Sequence, residues 1–379
     1  MKPDLAPKYT QSIGQSYILW FERSNTYVVI SKATYIILNL VLKSSSLSQF
    51  EHDLIRNNIV EKKCSKVIYD ELNSFLTNSN TTNVDIFPDH INDVELPDID
   101  IQHFYKFGNK TVEINFGSQT IEQLFHPQLA HCLIKNYQSK TAVFDIFKID
   151  NSLYLFQNKK FVFRSTTKDY HVLQGRFALE LTNVIHNKES CNWLSTFHAS
   201  TICNTNEAVM LIGDSGNGKS TLSAILMANG LDLLSDDFTP LYYDDTRLYR
   251  YPAAISIKKG AFNIIENEIE EFKTLPTYFN GPKNINIKYV PPSEGFKTSK
   301  DSLPCRKIVF VKYDKGCSSS FKKVSEEIIL KTLIPDAWIS PKPEHAKQFL
   351  NWLSNVEFYE LQYSDNHYAT QSLNKLIND

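Results

Sequence analysis

Ala208-Val209-Met210-Leu211-Ile212-Gly213-Asp214-Ser215-Gly216-Asn217-Gly218-Lys219-Ser220-Thr221-Leu222 runs from five apolar residues through a glycine-rich loop into a segment with apolar residues at helical spacing. The apolar run reads as a buried strand, and Thr221 to Asn229, stopped by Gly230, reads as a helix. The loop between them matches G-x-x-x-x-G-K-[ST]. Its glycines admit backbone conformations closed to other residues, so that successive N–H groups and the helix N-terminus can converge on phosphate oxygens. Lys219 supplies a movable cation for the β- and γ-phosphates, and the Ser220 hydroxyl is placed to ligate Mg²⁺. Gly213, Asp214, Ser215, Gly216, Asn217, Gly218, Lys219, Ser220 and Thr221 are therefore the candidate nucleotide-binding residues. The bland alternative, a glycine-rich turn matching by chance, is disfavoured by the strand before it and the helix after it.

Downstream, Leu231-Asp232-Leu233-Leu234-Ser235-Asp236-Asp237 reads as a second apolar strand ending in two adjacent carboxylates, 17 and 18 residues after Lys219. Two acids at a strand end suit Mg²⁺ chemistry: one holds the metal or its water, and the other accepts a proton from an attacking hydroxyl. Read blandly, the pair opens a turn before Phe238-Thr239-Pro240. Upstream, Phe197-His198-Ala199-Ser200 places His198 21 residues before Lys219. Alone, a histidine flanked by apolar residues is more often a satisfied core residue.

Taken together, His198, Lys219-Ser220 and Asp236-Asp237 resemble the HPr kinase/phosphorylase family, whose members carry an H-A-S/G strand, a G-D-S-G-x-G-K-S loop and an L-x-x-D-D strand at this spacing. The resemblance implies that Lys219 binds phosphate, Ser220 holds Mg²⁺, and His198 and Asp237 are catalytic, Asp237 as the base for the acceptor hydroxyl; of the two paired acids this leaves Asp236 for the metal. It extends more weakly to Tyr251-Pro252-Ala253-Ala254-Ile255-Ser256-Ile257-Lys258, which is similar to a P-x-x-x-x-x-K segment of related proteins and makes Lys258 a candidate phosphate or acceptor contact. Lys258-Lys259 reads equally well as a solvated pair. The L-E-I-R-G signature of true HPr kinases has no match; Glu266, Glu268, Glu270 and Glu271 in that neighbourhood read as an exposed helix face. That departure argues against HPr as the substrate and leaves a reverse phosphorylase reaction unassigned.

At 379 residues, 42% hydrophobic and 22% charged, the chain has the composition of an ordinary globular protein able to bury two or three cores. A net charge of −2 gives no electrostatic case for nucleic acid or an anionic membrane as main partner. No stretch approaches a membrane span and the N-terminus lacks a signal h-region, so a cytoplasmic location is expected. The six cysteines (Cys64, Cys132, Cys191, Cys203, Cys305, Cys317) show no metal-like spacing or disulfide framework and read as reduced.

Residues 83–100 combine two prolines with many acids and no period, and read as a linker. Before it, Ser16–Glu22 and Thr26–Ile30 read as strands joined by Arg23-Ser24-Asn25, followed by helices over Lys32–Leu42, Ser46–Asn57 and Cys64–Asn78. Two strands and three short helices, with Ser31-Lys32-Ala33-Thr34-Tyr35-Ile36-Ile37-Leu38-Asn39-Leu40 after the hairpin, resemble the winged-helix-like PqqD fold that recognises leader peptides in ribosomal peptide modification. The resemblance implies that a leader adds as a strand along the edge of Tyr27–Ile30, against the face of Lys66–Phe75. A plain dimerisation or winged-helix domain is the alternative.

From 101 to 197 the pattern is β-rich, at Lys110–Phe116, Ala142–Phe147, Leu153–Phe156 and Lys160–Arg164, with a helix at Phe177–His186. With no composition break before His198, this block is expected to extend the sheet of the phosphate-loop part. Arg306–Tyr313 reads as a strand, and Glu344–Leu353, Phe358–Tyr363 and His367–Ile377 as helix, strand, helix. Pro276 through Pro292, with Tyr278, Gly281, Lys283 and Lys288, reads as a loop that closes over an acceptor or merely connects.

The sequence thus predicts an α/β (α+β) protein: a PqqD-type leader-recognition domain at 1–82, a linker at 83–100, and an HPr-kinase-like phosphate-loop kinase domain with a mixed sheet at 101–379. The expected activity is ATP- and Mg²⁺-dependent phosphorylation of a Ser or Thr hydroxyl on a ribosomally made precursor peptide. A kinase of a small hydroxylated metabolite and a nucleotide-dependent switch are the alternatives. A homo-oligomer is a family-level expectation only.

Overall fold

The computed structural model describes residues 3–57, 59, 64–82, 97, 101–281, 284–293 and 299–378. The expected linker, apart from Pro97, and Lys283 of the expected loop lie outside these residues. The fold is mixed α and β with several sheets, and the chain divides into two units, Met1–Asp85 with Val324–Phe358, and Ile86–Lys323 with Tyr359–Asp379. No helix among the described residues is long and apolar enough to cross a membrane.

In the first unit, Ser16–Phe21 pairs antiparallel with Thr26–Ser31 through a four-residue turn in which Asn25 has φ +50°, a conformation Asn tolerates. A third strand, Tyr9–Ile13, pairs on the other side of Ser16–Phe21. Its sequence, YTQSI, carries only two large apolar side chains and gives little strand signal. Helices Lys32–Lys43, Leu47–Arg56 and Ser65–Ser79 follow, the first two capped by the Ser31 and Ser46 hydroxyls, which accept from the N–H groups of Thr34 and Gln49. Leu19, Phe21, Leu38, Val41, Phe50, Leu54 and Leu76 close the core. Helices Glu326–Leu333 and Pro343–Leu353 belong to this unit as well. The Gln15 N–H donates to the Glu326 carboxylate at 2.7 Å, Asn25 Nδ2 donates to the Ile339 carbonyl at 2.8 Å, and Tyr27 packs edge-on against Phe349.

In the second unit, residues 101–166 form a sheet of their own instead of extending that of the phosphate loop. Its order is Leu133–Ile134, Ile101–Phe107, Lys110–Phe116, Ala142–Ile149, Ser152–Gln157, Lys160–Thr166. Helix Tyr170–His186 follows the last strand and lays Leu173, Phe177 and Leu181 onto the inner residues Ile114, Phe116, Phe144 and Leu155. The helix covers most of the sheet's inner face, and Tyr251 and Ala253, with Phe238 packed against them, complete the same core from beyond His198.

The phosphate-loop sheet has the order Asp232–Ser235, Ser200–Cys203, Ala208–Ile212, Cys305–Tyr313, Glu357–Tyr363, Ser320–Lys323. Ala208–Ile212 runs parallel to Cys305–Tyr313 and antiparallel to Ser200–Cys203, which is also antiparallel to Asp232–Ser235. The expected loop at 276–292 is instead a hairpin: Thr277–Asn280 pairs with Ile285–Val290, which pairs with Ile255–Lys258. Lys288 is buried there, donating to the Phe272 and Lys273 carbonyls and lying over the Phe262 and Phe272 rings. A lysine that reads as solvated in sequence is thus a capped core residue.

Candidate active site

The pairing directions decide where the chemistry gathers. Ser200–Cys203 is antiparallel to both neighbours, so its first residue sits beside the ends of Ala208–Ile212 and Asp232–Ser235. His198, the loop starting at Gly213 and the pair Asp236-Asp237 therefore emerge at one end of the sheet, although they are far apart in sequence.

The loop is shaped by backbone demands that only glycine meets. Gly213 has φ +149°, and a Cβ there would lie 2.6 Å from the Val311 carbonyl oxygen; Gly218, at φ +87°, would press a Cβ within 2.9 Å of the Tyr363 hydroxyl. Helix Lys219–Ala228 starts at Gly218 and is wedged between two cores. Leu222 and Leu226 pack with Val309, Val311 and Tyr363, while Ala224 and Ile225 pack with Ile255, Ile257 and Phe272. Its N-terminus, with the positive end of the helix dipole, is thereby fixed toward the loop. Lys219 is buried and donates to the Gly213 carbonyl at 2.6 Å.

A cavity of about 320 Å³ opens at this end of the sheet. His198, Lys219, Ser220, Asp237, Ser256 and Lys258 line it, with Ser215, Gly216, Gly218 and Thr221 of the loop. His198 is exposed to it and is not a core histidine. Lys258, at the end of strand Ile255–Lys258, faces the same space. Gly213, Asp214 and Asn217 shape the loop without lining the cavity: the Asn217 N–H donates to the Asp214 carbonyl, and the Asn217 carbonyl accepts from the Tyr313 N–H.

The two aspartates take different environments. Asp236 is buried and accepts from the hydroxyls of Ser200 and Ser220 and from the Ser256 N–H. Burial, and then the charge of Asp237, push its pKa up to about 7, against the opposing effect of those donors. Asp237 borders the cavity at φ +60°, the left-handed region that Asp, like Asn, enters through its short polar side chain. The Ser256 hydroxyl approaches its carboxylate at 3.4 Å.

The donor set fits a hard dication. Ser220, which lines the cavity, donates to the buried Asp236 carboxylate behind it; the two offer only oxygen, and a buried carboxylate beside a second acid lacks a compensating charge that a cation would supply.

A second cavity of about 420 Å³ shares Ile287 with the first and is lined by Tyr170, Tyr278 and Tyr289 with Lys148. The Tyr289 hydroxyl is pushed up to about 12, by burial and then by the Asp237 carboxylate, which places that acid within electrostatic reach of this space. Ser200, Ser256, Tyr289 and Tyr363 were not singled out from sequence. The two serines stand inside quoted motifs as polar residues with no spacing rule of their own, and the tyrosines arrive from distant strands with no local signal.

No protein-family model matches the chain, and no curated protein matches it. Among solved structures, the chain is similar to the Hpr(Ser) kinase/phosphatase from Coxiella burnetii, at 12% identity and a TM-score of 0.24, over 48% of this chain and 95% of that one. The residues of the site themselves carry the functional reading.

Proposed function

We propose that the chain is an ATP- and Mg²⁺-dependent kinase with an HPr-kinase-like core, transferring the terminal phosphoryl group to a Ser or Thr hydroxyl of a ribosomally made precursor peptide. The observation that carries the kinase reading is the meeting of His198, Lys219, Ser220, Asp237 and Lys258 around one cavity, with Asp236 buried against Ser220.

Loop N–H groups and the fixed helix N-terminus hold the phosphates, and Lys219 exchanges its loop carbonyls for phosphoryl oxygens. Ser220 and Asp236 would hold Mg²⁺, which when bound supplies neutralisation of phosphate charge. Asp237 accepts the proton of the attacking hydroxyl, the role its position at the cavity wall suits. His198 and Lys258 orient the acceptor and the transferring group. Phosphoryl transfer asks mainly for positioning and charge stabilisation, which these residues provide.

The adjoining tyrosine-lined cavity favours transfer to an acceptor over a nucleotide switch, since it offers room for a second substrate beside the phosphate-loop cavity, with which it shares Ile287. The peptide character of that acceptor is supported by the first unit. Strand Thr26–Ser31 lies at an edge of its sheet, with helix Ser65–Ser79 packed on the same core through Ile68, Leu72 and Phe75, an arrangement to which a peptide strand can add. Capture by this unit, with chemistry in the other, raises the effective concentration of the acceptor.

Incubating the full-length protein with γ-labelled ATP, Mg²⁺ and a candidate precursor, followed by intact-mass analysis of the peptide, tests the reading. A gain of one phosphoryl group on the peptide supports it. Label transferred only to small hydroxylated metabolites would move the reading to a metabolite kinase, and nucleotide binding without transfer to any acceptor would move it to a switch.

A further inference from the structure

Away from the phosphate loop, strand Ile101–Phe107 and helix Gln119–Phe125 bring together His103, Glu122 and His126, one ligand atom of each lying within 4.8 Å of the others. Glu122 and His126 are one helical turn apart and so share a face, and His103 meets them from the strand paired with Lys110–Phe116. His103 Nε2 and Glu122 Oε1 are 2.6 Å apart, and the two imidazole rings lie 4.7 Å apart, centre to centre.

We propose that His103, Glu122 and His126 form a binding site for a borderline transition-metal dication of the Zn²⁺ type, with a fourth position open to water. Two nitrogens and one carboxylate oxygen are the donors such ions prefer, whereas Mg²⁺ and Ca²⁺ favour oxygen alone. In a tetrahedral site with metal–ligand bonds of 2.0–2.2 Å, ligand atoms stand about 3.3–3.5 Å apart. The present separations, 2.6 Å between His103 Nε2 and Glu122 Oε1 and no more than 4.8 Å for any pair, bracket that value.

Two features distinguish the cluster from a His–Glu ion pair beside an unrelated histidine. An ion pair has no use for a second imidazole against the first, and two protonated imidazoles at that distance repel. Both rings can instead share one cation. The second feature is the buried Tyr105, whose hydroxyl is 2.8 Å from His126 Nδ1. This contact holds the ring and, with Nδ1–H donating to the tyrosine oxygen, leaves the Nε2 lone pair for a metal, the outer-shell support that ligating histidines characteristically have.

The ion would tie the helix to the strand. Thr120, Ile121, Gln123 and Leu124 of this helix line the tyrosine-rich cavity, so the metal holds one wall of that space in place. The site stands independently of the kinase reading.

The test uses full-length protein stripped with a chelator, with millimolar Mg²⁺ present throughout to occupy the oxygen-ligand site. Zn²⁺ is titrated in competition with a chromophoric chelator, and Co²⁺ is added separately to report coordination through its visible d–d bands. One equivalent of tightly held Zn²⁺ and intense tetrahedral-type Co²⁺ bands are expected. His103→Gln combined with His126→Gln should lose the Co²⁺ bands and at least 100-fold in Zn²⁺ affinity, Tyr105→Phe should lose about 10-fold, and His198→Ala should lose none. Failure of the wild type to compete for Zn²⁺, or a double variant that retains both the affinity and the bands, overturns the proposal. If the double variant does not fold, Tyr105→Phe and the wild-type Co²⁺ spectrum decide: absence of the bands, or no loss on Tyr105→Phe, overturns it.

Discussion

The phosphate-loop end of the second unit and the first unit as a whole are built in opposite ways. The residues around the phosphate-loop cavity come mainly from short contiguous windows, 197–200, 213–221, 235–237 and 251–258, each with its own local chemistry. The first unit joins the start of the chain to Val324–Phe358, with hundreds of residues between them. Phosphate chemistry constrains residue type position by position, because a loop needs glycine where φ is positive and a cation where phosphate sits. A helix that covers a core needs only an apolar stripe, and many stripes serve. The first kind of constraint is written locally, and the second is satisfied wherever the chain happens to return.

The largest expected effect falls on the locally written region. Lys219→Ala should abolish phosphoryl transfer and weaken nucleotide binding, because it removes the loop's own buried cation. Filter binding of labelled nucleotide and transfer assays check both, and unchanged activity in a folded variant would break the contrast. Asp237→Asn should leave nucleotide affinity in place and lower turnover on the order of 10²–10⁴-fold, the usual size of general-base catalysis. Titration of nucleotide beside single-turnover kinetics separates that outcome from a metal or structural role, in which affinity itself would fall.

In the first unit the effects should be on stability. Phe349 is fully buried and its ring meets Tyr27. Phe349→Ala should therefore cost about 3–5 kcal/mol locally, read as faster hydrogen exchange in both Pro343–Leu353 and Thr26–Ser31, with nucleotide affinity unchanged. Faster exchange in only one of the two segments would deny that they form one cooperative unit.

The last effect, read only as a pH dependence of stability, concerns Asp236. Its pKa in the folded chain, about 7 against an ordinary 3.8, means that the native state keeps a proton that the unfolded chain releases between about pH 4 and 7. Stability from this group is full below that window and is lost as pH rises through it. Asp236→Asn should remove that component, so that the melting temperature of the metal-free variant falls less between pH 4 and 7 than that of the wild type. Equal slopes would mean that Asp236 does not hold the proton.

Legibility followed the same division. The strand Ala208–Ile212, the helix after the loop, the hairpin and all three helices of the first 82 residues were readable, because alternation, caps and glycine stops are local signals. Four features were not. Tyr9–Ile13 is too polar to announce a strand. The sheet of residues 101–166 is closed off by a helix whose first turns, around Gln174, Gly175 and Arg176, are too polar to show the apolar stripe. The hairpin at 277–290 hides its alternation among prolines and lysines, one of which, Lys288, is a core residue. The return of Val324–Phe358 leaves no trace in composition. At the site, motif residues could be named in advance, but Ser200 and Ser256, which set the environments of the two aspartates, become visible only once the strands bring them there.

The central claim is that this convergence transfers phosphate from ATP to a peptide hydroxyl, with Asp237 as the base. Intact-mass measurement on a precursor peptide incubated with Mg²⁺, ATP and either wild-type protein or Asp237→Asn tests it most directly. The account predicts a phosphorylated peptide with the wild type and almost none, at equal nucleotide occupancy, with the variant. An unmodified peptide with the wild type across candidate precursors, or equal phosphorylation by both proteins, would contradict it.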